Sequence, residues 1–335
     1  MSISPFFSII IPMYRSEKTI NHCLDSIKSS MNFKYEIIIV DDHSKNKANN
    51  LIKKKKIKYY RLKRNMGAAY ARNFGALKAK GKYLVFLDSD VMLQKVTLDN
   101  FYKLFKKNNQ IKILQASYEN SKYENLSTQY IQSYFHYYLL LKNKKNAGSL
   151  VSACVSIEKK LFFKSGGFNA NYKSANVEDE ELGYRLKKMK QEIFISNKLQ
   201  VKHLASYSLI QLIKRNFKQF LGLMILYQKT SIKNKINQKN FVNIFFNILL
   251  VHLILIILGI YFLIDISIFV SSLLILCGIF ILSNLNFLSF VIKTHGFRNI
   301  LILPIIFLDR LTMIASMYSG IIYYKLKKLK ETFIF

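Results

Sequence analysis

Tryptophan is absent from this 335-residue chain, cysteine occurs three times, and Asp and Glu together number 19 against 51 Lys and Arg. The cysteines, Cys23, Cys154 and Cys277, are odd in number and far apart, which excludes a readable disulfide framework or a cysteine-built zinc site and suits a reducing cytoplasmic face. The first residues, Met1 to Pro12, lack a basic leader and a small-residue cleavage site. They read as a first strand and not as a signal peptide, so the catalytic part is expected in the cytoplasm. The scarcity of acids leaves a formal net charge of +32, which draws polyanions: nucleic acid, anionic lipid headgroups or phosphorylated substrates. With 51% hydrophobic residues and an apolar C-terminal third, lipid is favoured among these.

From Phe7 to about Leu93 strand and helix patterns alternate. Phe7 to Ile11 is an apolar β-branched run stopped by Pro12, Thr19 to Ser29 has helical spacing, and Glu36 to Val40 is a second apolar run ending in Asp41-Asp42. Ile57 to Leu62 predicts another strand, Ala68 to Lys80 a helix, and Tyr83 to Leu87 the next strand, ending on Asp88-Ser-Asp90. Near-continuous apolar strands alternating with helices predict an α/β domain, a doubly wound, mostly parallel sheet covered on both faces. Ligands of such sheets sit beyond the carboxyl ends of the strands. Pro12-Met-Tyr14, Asp41-Asp42 and Asp88-Ser-Asp90 all fall there, and three polar strand ends on one rim are hard to explain as solvated turns. Residues 94 to 205 are less regular and are expected to complete the domain, 1–205, on the acceptor side.

The character changes at Ser206. Leu209, Ile213, Phe217, Phe220, Met224 and Tyr227 repeat at helical spacing while Lys214, Arg215, Lys218 and Gln219 face elsewhere, a pattern that fits either a core-facing helix or a basic amphipathic helix at a membrane surface. Its place before long apolar segments favours the second, with 206–239 as interface helix and basic linker. Phe241 to Ile264 and Ile266 to Ile292 are each long enough for a bilayer. Asp265 lies between them and basic residues lie on both outer sides, so the positive-inside rule predicts a hairpin dipping outward and returning. Asn299 to Tyr324 is also apolar but carries Pro304 and Asp309-Arg310 and precedes Lys325, Lys327, Lys328 and Lys330. A mid-segment ion pair is costly against lipid, so within 240–335 this part is expected to re-enter or lie at the interface, with a third full span as the alternative.

The residues that carry chemistry follow in a fixed order: Ser8-Ile-Ile-Ile-Pro12-Met-Tyr14, Glu36-Ile-Ile-Ile-Val-Asp41-Asp42-His-Ser44, Asn65-Met-Gly67-Ala-Ala-Tyr-Ala71-Arg72-Asn73-Phe-Gly75, Asp88-Ser-Asp90, and Val177-Glu178-Asp179-Glu180-Glu181. From about Ser8 to Gly222 the chain resembles the inverting glycosyltransferases of family 2, which have the nucleotide-diphosphosugar transferase (GT-A) fold. The resemblance implies a nucleotide-diphosphate sugar donor bound by Pro12, Tyr14, Asp41, Asp42, Asn65, Gly67, Arg72 and Asp88, with Asp42 accepting from the base. It implies Mn²⁺ or Mg²⁺ at Asp90, assisted by Asp88, with His203 reaching the metal or the diphosphate. It makes Asp179 the general base and Glu178 the residue that shapes its surroundings. A group of that kind is required, because the acceptor hydroxyl must lose its proton as it attacks the anomeric carbon. Gly67 permits close backbone approach, and the helix start behind it favours negative charge. Arg72 either offers its guanidinium to the donor or fixes the helix through an ion pair. Glu181 and Arg185 are spaced to pair along their helix, and Ser165-Gly166-Gly167-Phe168 supplies a turn able to close on the acceptor.

Two departures shape the expectation. Arg15 stands where the family often has Asn, and the absence of Trp leaves only a loose echo of the Gln-x-x-Arg-Trp motif of processive synthases, so single-sugar addition is favoured. Asp88-Ser-Asp90-Val-Met differs from the Asp-Ala-Asp-Leu-Gln type of polyprenyl-phosphate transferases, which favours a lipid-linked saccharide or other glycan acceptor. The expectation is a multi-pass enzyme of the cell membrane, in contact with membrane lipids and with no nucleic acid partner. The alternatives are a polyprenyl-phosphate transferase or processive synthase, or a catalytically silent nucleotide-sugar or glycan-binding subunit. The Lys53-to-Lys56 run is simplest as solvated surface.

Overall fold

The computed structural model describes residues 4–27, 33–45, 57–141, 149–172, 177–229, 238–260 and 265–332. The Lys53-to-Lys56 run and much of the basic linker lie outside them. The chain divides into two compact units, Met1–Ser121 with Phe135–Ala205, and Lys122–Tyr134 with Ser206–Phe335. The division at Ala205 falls where the sequence changes character, whereas the inclusion of Lys122–Tyr134 in the second unit has no sequence signal.

In the first unit β1 (Phe7–Met13), α1 (Ile20–Ser26), β2 (Tyr35–Asp41), β3 (Ile57–Arg61), α2 (Ala68–Lys78) and β4 (Tyr83–Leu87) follow the expected alternation. β1 sends Phe7, Ile9, Ile11 and Met13 into a core with Ile20, Cys23 and Leu24 of α1, and Ile10 into a second core with Ala69, Ala71 and Ala76 of α2. Alternate residues of a strand point to opposite faces, so one apolar run fills both. Gly75 belongs to this packing, since a Cβ there would stand 2.5 Å from Ile10 Cγ2. Pro12 does not stop β1, which continues to Met13 in parallel register with Asp41. The Met13 carbonyl accepts from the Asp42 N–H at 2.8 Å, so Pro12 faces the opposite, β4 side, where the ladder has already ended at Ile10–Phe86. Its missing donor is tolerated there.

The remaining strands are β5 (Val91–Leu93), β6 (Ile113–Tyr118), β7 (Cys154–Glu158) and β8 (Phe194–His203), and the helices are α3 (Thr97–Lys107), α4 (Leu126–His136, running into a π turn at Tyr137–Leu141), α5 (Lys159–Lys164) and α6 (Glu178–Lys188). The sheet order is β3-β2-β1-β4-β7-β6-β8-β5. The half from β3 to β4 is parallel, but β7 runs antiparallel to β4 and β6, and β5 antiparallel to β8. The second half is therefore mixed, which brings the start of β7 and the start of β5 to the same rim as the ends of β4, β6 and β8.

The second unit consists of α7 (Leu209–Lys229), α8 (Gln238–Gly259), α9 (Ile266–His295), a 3₁₀ turn (Phe297–Leu301) and α10 (Ile302–Thr332), with the start of α4. The segments Ile266–His295 and Phe297–Leu326, each 30 residues, are long and apolar enough to cross a membrane. Re-entry by the last segment is overturned: α10 is one unbroken helix. Pro304 sits in its first turn, where a missing N–H costs nothing, and Asp309 is satisfied by Tyr130 Oη (2.7 Å), Asn216 Nδ2 (2.6 Å) and Arg310 Nη1 (2.8 Å). The helix α7 is not a free interfacial helix. It buries Leu212, Asn216 and Leu226, takes a hydrogen bond from Ser316 at the Phe217 carbonyl (3.1 Å), and lies so close to α10 that a Cβ on Gly320 would stand 2.8 Å from Met224 Cβ. Asn284 of α9 donates to Asn247 of α8 at 2.5 Å, a polar link between apolar helices.

Candidate active site

Five strand ends meet on one rim, and the acids there meet different fates. Asp41, at the end of β2, is fully buried; Oδ2 accepts from Tyr59 Oη (2.6 Å) and Arg61 Nη1 (3.0 Å) of neighbouring β3, and Oδ1 from the Ser44 N–H (2.8 Å). Asp42 is buried as well, and its two oxygens accept from the N–H groups of Met66 and Gly67, both at 2.7 Å. Gly67, at φ 90°, caps α2 in a conformation that favours glycine. These bonds correct two expectations. Asp42 occupies the backbone donors ahead of α2 that were expected to face the donor's charge, and Asp41 and Asp42 brace the loops instead of standing open to a base. Asn65 Nδ2 contacts the Asp42 carbonyl at 3.4 Å. Tyr14 is 43% exposed, beneath the Arg15 guanidinium at 5.1 Å, and remains open to a ligand.

Arg72 is also corrected. Its guanidinium is buried, with Nη2 donating to Asp88 Oδ1 (2.7 Å) and Nη1 to Glu178 Oε1 (2.9 Å). The two carboxylates hold it charged despite a burial that works the other way. It links the metal-side acid to the base-side helix, and is not available to a donor. The next residue, Asn73, clamps Phe168 at both its N–H (2.9 Å) and its carbonyl (2.7 Å). Arg185 pairs with Glu181 at 2.8 Å as its spacing predicts, and also donates to the carbonyls of Ser165 and Gly167. The Ser165–Phe168 turn is thus held from two helices, contrary to the expectation of a closing flap.

Asp179, second residue of α6, is partly buried. Its Oδ2 accepts from the Ser152 N–H (3.1 Å) and hydroxyl (3.3 Å), and its Oδ1 from the Glu180 N–H (2.9 Å). Burial, then the charge of Glu178, push its pKa up to about 6, so it is ionised at neutral pH yet basic enough to take a proton. Glu180, passed over in the sequence, is pushed up to about 8 by burial and by Asp179. Holding its proton at neutral pH, it limits the charge crowded at the helix start. Ser152 was also missed, since it precedes β7 with no local motif.

Asp90 has a 38% exposed side chain and faces His203 Nε2 at 3.9 Å, an approach fixed by the Val91–His203 pairing of β5 and β8. Among the described residues no group of three or more His, Cys, Asp or Glu side chains is set to hold a metal. The donor set nonetheless fits a hard cation, because Mg²⁺-type ions use one or two carboxylates and take the rest of their shell from substrate phosphates and water. Asp90 is the open carboxylate and Asp88 the assisting one. His203 is corrected from ligand to donor: its Nδ1 accepts from the Ala205 N–H at 3.1 Å, which leaves the proton on Nε2. That edge suits a phosphate oxygen.

An α/β sheet with an open carboxylate and a half-buried aspartate base on one rim has the form of the GT-A class of glycosyltransferases. Residues 8–165 match the family described as glycosyl transferase family 2, and this part of the chain is a family 2 glycosyltransferase domain. Over 109 residues the chain is 35% identical to the poly(ribitol-phosphate) β-N-acetylglucosaminyltransferase TarP of Staphylococcus aureus strain N315, covering 30% of this chain and 33% of that protein. Over 109 residues it is 38% identical to a poly(ribitol-phosphate) β-glucosyltransferase of Bacillus spizizenii, covering 30% of this chain and 17% of that one. In fold it resembles a mannosyltransferase of Pyrobaculum calidifontis solved with GDP-Man and Mn²⁺, at TM-score 0.59 and 12% identity, covering 96% of this chain and 88% of that one.

Proposed function

We propose that this chain is a membrane-anchored inverting glycosyltransferase that adds a single sugar from a nucleotide-diphosphate sugar to a hydroxyl of a lipid-linked or cell-surface glycan. The observation that carries the reading is Asp179, half-buried, oriented by Ser152 and raised to about 6. Its carboxylate takes the proton of the acceptor hydroxyl as that oxygen bonds to the anomeric carbon; the bond from that carbon to the diphosphate oxygen breaks, and the nucleoside diphosphate leaves from the opposite face. A divalent cation held by Asp90 with Asp88 supplies neutralisation of the leaving group's charge. His203 donates to a diphosphate oxygen, and Tyr14 lies open beside the nucleotide end of the rim. The names of the two poly(ribitol-phosphate) transferases and the +32 charge of this chain support a polyanionic, phosphate-containing acceptor.

The apolar helices α8 and α9 form the hairpin in the bilayer, with α10 against α7 and its basic end on the cytoplasmic side. A reporter fused after Phe335 reads cytoplasmic in this arrangement, and an external reading refutes it. The activity is tested with purified protein in detergent and a panel of UDP-, GDP- and dTDP-sugars with Mn²⁺ or Mg²⁺. Metal-dependent nucleotide release, lost in Asp90→Ala and Asp179→Asn, is expected; release unchanged in both variants sinks the assignment.

A further inference from the structure

The rim carries one carboxylate that the reaction above does not use. Glu119 directly follows β6, and its N–H donates to the Val201 carbonyl of β8 at 2.8 Å. Its side chain reaches past β8: Oε2 accepts from Nε2 of Gln94, the residue after β5, at 3.0 Å, and Oε1 accepts from the Ser121 hydroxyl. Among the described residues no Lys or Arg pairs with it, whereas Asp41, Asp88, Glu178 and Glu181 each face a guanidinium. That is unusual where cations outnumber acids 51 to 19. Two neutral donors orient this half-buried carboxylate and leave part of its four lone-pair capacity for other donors.

Strand order fixes where it stands. β6 lies between β7 and β8. β7 begins just after Ser152, which orients Asp179, and β8 ends at His203, beside Asp90. Tyr118, next to Glu119, meets the His203 ring edge-on at 5.2 Å. Adjacent strands are about 4.8 Å apart, so Glu119 is placed one strand from the support of the base and one from the Asp90–His203 pair. A sugar attacked from the base side, with its leaving group on the metal side, occupies that gap. We infer that Glu119, held by Gln94, accepts a hydrogen bond from a ring hydroxyl of the transferred sugar and sets which sugar is used. The inference rests on the glycosyltransferase reading. A site that bonds a substrate hydroxyl discriminates strongly against a sugar that cannot make the bond, because the protein group is then left unpaired.

The test measures kcat/KM for nucleotide release by the full-length protein in detergent with Mn²⁺, using UDP-glucose, UDP-galactose, UDP-N-acetylglucosamine, UDP-N-acetylgalactosamine and GDP-mannose, alongside calorimetric affinity for UDP and GDP. Glu119→Gln, nearly isosteric, is expected to lower kcat/KM for the preferred sugar about tenfold or more and to compress its ratio to the other sugars, with nucleotide affinity unchanged. Gln94→Ala is expected to shift the same ratio less. A uniform loss across all sugars, or an unchanged ratio, overturns the inference while leaving the transferase reading intact. Absence of release from every donor by the wild type overturns that reading, and this inference with it.

Discussion

The ends of β2 and β4 each carry two aspartates, and the two rims treat them in opposite ways. At β2 the parallel neighbour β3 brings Tyr59 and Arg61 alongside, and the loop before α2 turns its N–H groups inward, so Asp41 and Asp42 are consumed. At β4 the neighbour is antiparallel β7, which brings no side chain to bond Asp90. Asp88 is taken by Arg72 while Asp90 keeps a 38% exposed side chain. Acids at strand ends are thus read by what the next strand delivers, not by their spacing.

Substitutions break this comparison in opposite directions. The largest effect on rate is expected for Asp179→Asn, about 10² to 10⁴-fold in turnover for loss of a general base, with the thermal midpoint little changed. Asp90→Ala is expected to cost several kcal/mol of transition-state stabilisation, about 10²-fold or more in rate; chelation followed by Mn²⁺ add-back should abolish and restore turnover in the wild type but not in the variant. Asp42→Ala should act on stability instead, by roughly 2–4 kcal/mol from two charge-assisted bonds, read as an earlier denaturant midpoint. If Asp42→Ala leaves the midpoint unmoved and Asp90→Ala lowers it, the contrast drawn above is wrong. The smallest effect sharpens it. Asp179 must be ionised to accept a proton, so the rate falls as pH drops through about 6. Glu178→Gln removes a charge that raises that pKa, and the acidic limb of the pH–rate profile should move to lower pH.

The parallel half of the sheet was legible because each strand is a continuous apolar run and each helix has its own period. Asp179 and Asp90 were legible as members of ordered motifs. The roles of Asp42, Arg72 and His203 were not, since each is decided by a partner distant in sequence: Met66 and Gly67 for Asp42, Glu178 for Arg72, and the register of β5 on β8 for Asp90 and His203. The mixed half escaped for the same reason, because strand direction depends on connections and not on apolar pattern. In the second unit Pro304 and Asp309-Arg310 suggested a break that the helix does not have; a first-turn proline and a three-donor carboxylate remove the reasons for one.

Pro12 has a reach beyond its own strand. The sheet order turns about β1, with β2 and β3 to one side and β4 to the other, so the seam between β1 and β4 is where the winding reverses. By offering no N–H toward β4 after the ladder has ended at Ile10, Pro12 acts as a wedge that keeps this seam unzipped at its mouth. Replacing it would supply the missing stitch, and the crevice that admits a nucleotide would begin to close from its floor.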